Sequence, residues 1–227
     1  MTDQNPIRSK PDWGTTLTAE MLLFGLLGKL FYVYPEKNWL HSLIGDDVFA
    51  EIPFGQDQPE VQRGQDLLLE WCRKEQKDTT GRTFEELRAD YTRLFIGIGS
   101  ILAPLWESVH FNDERMIYQE QTMQVRAWYR KFGLQAENFQ HEPDDHVGLE
   151  MAFLAHLARL GLEALEAQNT AALECLLDAQ RGFLLEHVLQ WVPEWCDQVE
   201  EQASTGFFRG LACITRGALA ELRIVFG

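Results

Sequence analysis

Cysteine is scarce in this sequence. Four cysteines occur in 227 residues, at positions 72, 175, 196 and 213, and no two of them form a C-x-x-C pair. Zinc ribbons, iron–sulfur clusters and redox dithiols need closely spaced thiols, so the spacing indicates none of these sites. We therefore expect four reduced thiols, no bound metal and no cofactor.

Basic residues are also few. The chain has 20 Lys and Arg residues against 35 Asp and Glu residues, which gives a formal net charge of −15, and no run of Lys and Arg reverses this locally. Such a surface repels a phosphate backbone, so the sequence predicts no nucleic-acid partner. It instead attracts a basic peptide or the basic face of another protein, mainly by speeding their encounter.

A long hydrophobic run is missing as well. The most apolar stretch, residues 21–34, is too short to span a bilayer and contains Lys29. It follows Asp3 and Asp12 and lacks a small-residue cleavage site, which is not typical of a signal peptide. The sequence therefore predicts a cytoplasmic protein without membrane insertion.

Strand patterns are absent, whereas helical periodicity recurs throughout the chain. Pro59 suits the first turn of a helix that runs to Lys77, and Gly133 suits the end of another. The fold class predicted is all-α: one globular bundle of about ten helices over residues 1–227. Helix starts are predicted at Thr18, at Thr83 (a capping box with Glu86) and at Asn112.

Two irregular segments separate the predicted helices. Residues 97–111 contain two glycines and a proline between two helical patterns, yet they carry several large apolar side chains. Residues 135–142 join two helices and are the best candidate for a hinge, which would divide the bundle into two lobes. Tyr91, Phe95, Trp106 and Phe111 surround the first segment; each could fill the core, but together they could line a groove for a hydrophobic peptide.

Residues 142–150 read EPDDHVGLE and concentrate ionisable groups next to a proline. With Pro143 as the first helical residue, Glu142 would cap the helix and Asp144 would interact with the positive end of its dipole. His146 would then lie over Glu150 one turn later. This pair suggests a metal-dependent helical enzyme as one alternative, although H-E-x-x-H and repeated E-x-x-H patterns are absent.

Four motifs follow one another in a fixed order: Y-x-R-L-F-I-G at 91–97, P-L-W-E-S-V at 104–109, V-R-x-W-Y-x-x-F-G-L at 125–134 and E-P-D-D-H at 142–146. In this order the chain resembles the TorD/DmsD family of redox-enzyme maturation chaperones, specifically over 91–157 and loosely elsewhere. The resemblance implies a cytoplasmic chaperone, not an enzyme. Its partners would be the twin-arginine signal peptide and the apo form of a molybdopterin-dependent reductase of the DMSO or TMAO reductase type.

The resemblance also implies which residues bind the signal peptide. Gly99 and His110 depart from the family, where an aromatic side chain is frequent, which leaves the client reductase open. The family includes monomers and homodimers that exchange halves, so the oligomeric state is open too. A helical adaptor for another partner is the remaining alternative. The implied signal-peptide-binding residues are Tyr91, Leu94, Phe95, Gly97, Trp106, Ser108, Pro143, Asp145 and His146.

Overall fold

The computed structural model describes residues 11–97, 101–135 and 142–226, and these form helices and connecting turns without a strand. The all-α prediction of about ten helices is therefore confirmed. In chain order the helices are α1 Trp13–Tyr32, α2 Lys37–Gly45, α3 Pro59–Lys77, α4 Arg82–Tyr91, α5 Glu107–His110, α6 Glu120–Lys131, α7 Val147–Glu166, α8 Thr170–Phe183, α9 Leu189–Gln202 and α10 Gly206–Phe226.

Two helix ends agree with the sequence prediction. Pro59 is the first residue of α3, where its missing N–H costs nothing because that group has no partner inside a helix. Gly133 adopts φ +71° directly after α6, a conformation that glycine reaches without a steric penalty. Both residues act through their own backbone geometry, which is why they could be identified from the sequence.

The three predicted helix starts are wrong. Helix α1 begins earlier than Thr18, because Asp12 accepts a hydrogen bond from the Gly14 N–H at 3.2 Å. Thr83 lies inside α4, and its N–H donates at 2.7 Å to the carboxylate of Asp78. The N-cap of α1 is therefore Asp12, and that of α4 is Gly81, two residues before Thr83.

Asn112 does not start a helix either. Its side chain accepts a hydrogen bond from the Met116 N–H at 2.8 Å and closes a turn, so α6 begins only at Glu120. The side chain satisfies a local turn here rather than a helix end, which is the usual competition at Asn.

Close helix crossings occur at pairs of glycines. A Cβ added to Gly28 of α1 would lie 2.7 Å from the Gly148 carbonyl oxygen of α7, and the reverse distance is also 2.7 Å. Gly64 of α3 and Gly210 of α10 oppose each other in the same way, at 2.6 and 2.7 Å. Any side chain at these positions would separate the helices, so the glycines allow both pairs to pack backbone to backbone.

Two π-helical turns extend α4 and α8, at Thr92–Ile96 and Leu184–Val188. The first ends at Gly97, whose φ of +70° turns the chain out of the helix. Such turns insert one extra residue into the helical register and often accompany functional sites. Gly97 is one of the residues that the resemblance assigns to peptide binding.

The main hydrophobic core joins residues from α1 through α10 in one continuous cluster. Helices α1, α7 and α8 share a second, smaller cluster around Leu17. No helix in the described part of the chain is long and apolar enough to cross a membrane. The predicted hinge at 135–142 falls largely on residues 136–141, which lie outside the described residues, as does Gly99.

Candidate functional site

Two distant motifs meet as a short antiparallel pair. The Val147 N–H donates to the Leu105 carbonyl at 2.7 Å, and the Glu107 N–H donates to the Asp145 carbonyl at 2.9 Å. Trp106 and His146 therefore face each other across an isolated bridge. This pairing brings the PLWESV and EPDDH motifs together immediately before the first turns of α5 and α7.

Asp145 holds this junction together from inside. One carboxylate oxygen accepts a hydrogen bond from the Ser108 N–H at 2.7 Å, and the other accepts one from the Thr122 hydroxyl at 2.7 Å. Asp145 and Ser108 are fully buried. The carboxylate thus caps α5 from a different part of the chain and fixes α6 beside it.

Asp144 is paired with α6 as well. Its carboxylate accepts two hydrogen bonds from the guanidinium of Arg126, at 2.7 and 2.9 Å, while Tyr129 donates to its carbonyl at 3.0 Å. The prediction that Asp144 serves mainly as a charge at a helix start is therefore wrong. The carboxylate is buried in an ion pair between segments, which the linear sequence could not indicate.

His146 is the N-cap of α7. Its Nδ1 accepts a hydrogen bond from the Gly148 N–H at 2.9 Å, so α7 begins at Val147 and not at Pro143. The predicted cap at Glu142 is wrong for the same reason: His146 pairs with Trp106 in an extended conformation, and the helix begins only after it. Burial lowers the pKa of His146 to about 3, so the ring is neutral.

The surface above this junction is aromatic and carries a carboxyl group. The ring of His146 packs edge-on against Tyr32 and Trp106, with centroid distances of 5.1 and 6.0 Å. Trp106 is only partly buried, and its indole N–H donates to Glu142 at 2.6 Å. Burial raises the pKa of Glu142 above its ordinary value, and the hydrogen bond from Trp106 partly offsets this rise.

Exposed apolar side chains also lie next to Tyr91 and at the end of the first π-helical turn. Tyr34 packs edge-on against Tyr91 at 5.2 Å and is 37% exposed, and Ile96 is 53% exposed at the end of the first π-helical turn. Burial, followed by the nearby charge of Glu142, raises the pKa of Tyr91. Tyr91 in turn donates to the Phe31 carbonyl at 3.0 Å, which anchors the surface to α1.

The structure divides the predicted peptide-binding residues into two groups. Gly97 and Trp106 are partly exposed and reach the surface. The other seven are buried and shape that surface from below: Tyr91, Leu94, Phe95, Ser108, Pro143, Asp145 and His146. Reasoning from the sequence missed the exposed Tyr34 and Ile96, and it missed the hydrogen bond between Trp106 and Glu142, which are 36 positions apart in the chain.

The predicted aromatic cluster is only partly formed. Tyr91 and Phe95 contact each other at 5.0 Å in the core, whereas Trp106 contacts His146. Phe111 is 47% exposed and makes no ring contact within the part of the chain that the structure describes. His110 packs its ring against Trp191 at 4.9 Å, so it fills core space next to the site.

His146 and Glu150, the pair considered for a metal, have different partners. His146 caps α7, whereas Glu150 accepts a hydrogen bond from the Trp191 indole at 3.1 Å. Burial raises the pKa of Glu150 well above its usual value, and the neighbouring carboxylates of Glu107 and Asp145 raise it further. Because the two side chains are directed to different partners, the structure gives the metal alternative no support.

Another acidic cluster has the spacing of a metal site. Among the described residues, Glu60, Glu200 and Cys213 are the one such group. Arg63 and Arg216 both form hydrogen bonds with Glu60 and Glu200, three of them at 2.8, 2.9 and 2.8 Å. The carboxylates therefore already have cationic partners, and the cluster ties α3 to α9 and α10.

The fold and the site together define a helical binding protein whose surface combines aromatic side chains with a carboxyl group. The family model for the nitrate reductase delta subunit matches residues 55–197. The chain belongs to this family, the TorD/DmsD family of redox-enzyme maturation chaperones. Its relatives are chaperones, and the prediction of a non-enzymatic protein is thereby confirmed.

The curated relatives match this chain over different lengths. The Tat proofreading chaperone DmsD of Salmonella typhi is 29% identical over 200 residues, which cover 86% of this chain and 85% of the relative. The chaperone protein TorD of Vibrio cholerae is 29% identical over 127 residues, 56% of each chain. A solved redox enzyme maturation protein from Archaeoglobus fulgidus covers 93% of this chain and 97% of its own, with 18% identity and a TM-score of 0.49.

Proposed function

We propose that this protein is a cytoplasmic chaperone that binds the twin-arginine signal peptide of a molybdopterin-dependent oxidoreductase of the DMSO or TMAO reductase type. It would retain the apoenzyme before export, while the cofactor is inserted. The observation that carries the proposal is the partly exposed Trp106 indole held at 2.6 Å by the Glu142 carboxyl group, in a family of proofreading chaperones.

The surface suits the chemistry of such a peptide. A twin-arginine signal peptide has a basic segment followed by an apolar one. Tyr34, Ile96 and Trp106 offer apolar contact area, and Glu142 offers a carboxyl group beside it. The net charge of −15 favours encounter with the basic segment.

The nine residues that the resemblance implies have two roles in this proposal. Gly97 and Trp106 would contact the peptide directly, since they reach the surface. Asp145 and His146 would position Trp106 through the bridge and the caps of α5 and α7. The continuous core from α1 to α10 supports one domain over residues 1–227.

The test is a titration of the full chain with a synthetic twin-arginine signal peptide. We expect Trp106→Ala to weaken binding by at least about tenfold, as loss of a central aromatic contact does. Trp39→Ala is the matched control, because Trp39 is also partly exposed but lies on α2, packed beneath the Lys29 ammonium. Equal binding by both variants and the wild type would contradict the proposal.

Salt provides a second test. Part of the affinity should come from long-range attraction between the acidic protein and the basic peptide, which is screened over about 8–10 Å at physiological ionic strength. We expect affinity to fall as NaCl increases from low to high concentration. A salt-independent affinity would remove the electrostatic part of the proposal and leave only apolar recognition.

A further inference from the structure

A cavity of about 580 Å³ opens between α6 and the second π-helical turn, Leu184–Val188. None of the nine residues assigned to peptide binding lines it. Its walls combine an indole, an imidazole and a carboxylate with two polar side chains and an alanine. The lining residues are Gln124, Ala127, Trp128, Lys131, Glu186 and His187.

Trp128 forms the apolar wall of this cavity. Its indole N–H donates to Glu186 at 3.2 Å. A Cβ added to Gly182 would lie only 3.1 Å from the ring, so glycine at this position leaves room for the ring to pack against α8. The ammonium of Lys131 lies 4.9 Å from the centre of the same ring. The indole therefore already attracts a cation, as aromatic faces do.

His187 forms the floor and is backed by a buried carboxylate. Its Nδ1 lies 2.9 and 3.2 Å from the two carboxylate oxygens of Glu107, and both side chains are only 2% exposed. With Nδ1 directed to Glu107, Nε2 is the ring nitrogen that remains to meet a ligand. The two contacts with Glu107 fix the orientation of the ring at the cavity floor.

These groups match one ligand chemistry. A guanidinium group has several N–H donors in a plane, stacks on aromatic rings and pairs with carboxylates. The cavity offers an indole face, the Glu186 carboxylate and the His187 ring. Lys131 is exposed and flexible, so its ammonium can move into water when a better matched cation enters.

We propose that this cavity binds the guanidinium of an arginine from the twin-arginine motif of the client. The inference rests on the proposed function for the identity of the peptide. Glu107, which backs His187 at the cavity floor, follows Trp106 directly in the chain. The apolar part of the peptide would then contact Trp106, while an arginine occupies the cavity lined by Trp128 and Glu186.

The experiment compares two charge reversals of equal size. Glu186 and Glu174 are both exposed glutamates on the α8 segment, and only Glu186 lines the cavity. Each variant, Glu186→Lys or Glu174→Lys, is titrated with the signal peptide carrying Arg-Arg and with the same peptide carrying Gln-Gln. We expect Glu186→Lys to weaken binding of the Arg-Arg peptide about tenfold or more, as juxtaposed like charges do, with little effect on the Gln-Gln peptide.

The controls separate the possible failures. Equal losses for Glu174→Lys and Glu186→Lys, or equal losses for the two peptides, would overturn the arginine site while leaving the proposed function intact. A Lys-Lys peptide that binds as tightly as the Arg-Arg peptide would overturn the guanidinium assignment. Acetyl-Arg-Arg-amide is titrated separately. If it binds in a Glu186-dependent manner while the signal peptide does not bind, the arginine site is supported and the proposed function is refuted. If neither the dipeptide nor the signal peptide binds, the arginine site and the proposed function are both refuted.

Discussion

The carboxylate of Asp145 and the backbone N–H of Ser108 are 2.7 Å apart, although 37 residues separate them in the chain. This contact caps α5 from outside its own segment, and the second oxygen of Asp145 accepts the Thr122 hydroxyl of α6. The most acidic motif of the sequence therefore organises the base of the candidate site. Its direct partners are internal groups of the protein.

Removal of the Asp145 carboxylate should destabilise the protein. Asp145→Ala leaves the Ser108 N–H and the Thr122 hydroxyl buried without partners, and we expect the free energy of unfolding to fall by about 2–4 kcal/mol. Asp145→Asn should cost about 1 kcal/mol, because an amide can accept from Ser108 and donate to Thr122. Urea unfolding measures both. Similar losses for the two variants would show that the charge, and not the pair of hydrogen bonds, matters.

His146 should contribute to acid unfolding. Its folded-state pKa of about 3 lies below the ordinary value of 6.5, so the unfolded chain takes up the proton first. Stability is therefore lost as pH falls from 6.5 towards 3, by at most about 1.4 kcal/mol per pH unit. His146→Asn keeps a capping side chain but cannot titrate. We expect the free energy of unfolding of this variant to fall less steeply between pH 6.5 and 3 than that of the wild type. Equal slopes for the two proteins would refute the lowered pKa of His146.

Glu20 should make stability depend on pH in the opposite direction. Burial raises its pKa to about 8, although a hydrogen bond from Gln180 partly offsets this. The unfolded chain loses the proton from about pH 4.5 upward while the folded chain keeps it, so stability falls between pH 4.5 and 8 by roughly 1 kcal/mol per unit. Glu20→Gln should remove this slope in denaturant unfolding at pH 5, 6.5 and 8. An unchanged slope would contradict the raised pKa.

The glycine crossing of α1 and α7 should tolerate no side chain. In Gly148→Ala the new Cβ would lie 2.7 Å from the Gly28 carbonyl oxygen and 2.8 Å from Cβ of Tyr32, so we expect a loss of about 1–3 kcal/mol. Gly45→Ala is the control, because nothing lies within 4 Å of its added Cβ. Thermal unfolding that shows the same change for both variants would mean that helix propensity, rather than the crossing, sets the effect.

Local signals predicted the fold class well but several helix boundaries poorly. Pro59 and Gly133 lie where the sequence predicts, because their own rings and dihedral angles decide the outcome. Thr83 and Asn112 are equally good capping residues in isolation, yet α4 has its N-cap at Gly81 with Asp78 bonded to the Thr83 N–H, and Asn112 closes a turn. Capping depends on which side chain lies within hydrogen-bonding distance of the free N–H groups at the helix start. The backbone conformation of the preceding residues decides which side chain this is.

The sequence by itself determined the helical class, the acidic charge and the order of motifs that marks the family. These follow from periodicity and residue identity, which need no long-range contact. Only the tertiary structure decided that Asp144 pairs with Arg126, that His146 caps α7 and that Trp106 is anchored by Glu142. The contacts of Asp144 and Trp106 join segments that are distant in the chain. The cap at His146 is local, but this residue lies directly before α7 because it pairs with Trp106 in an extended conformation.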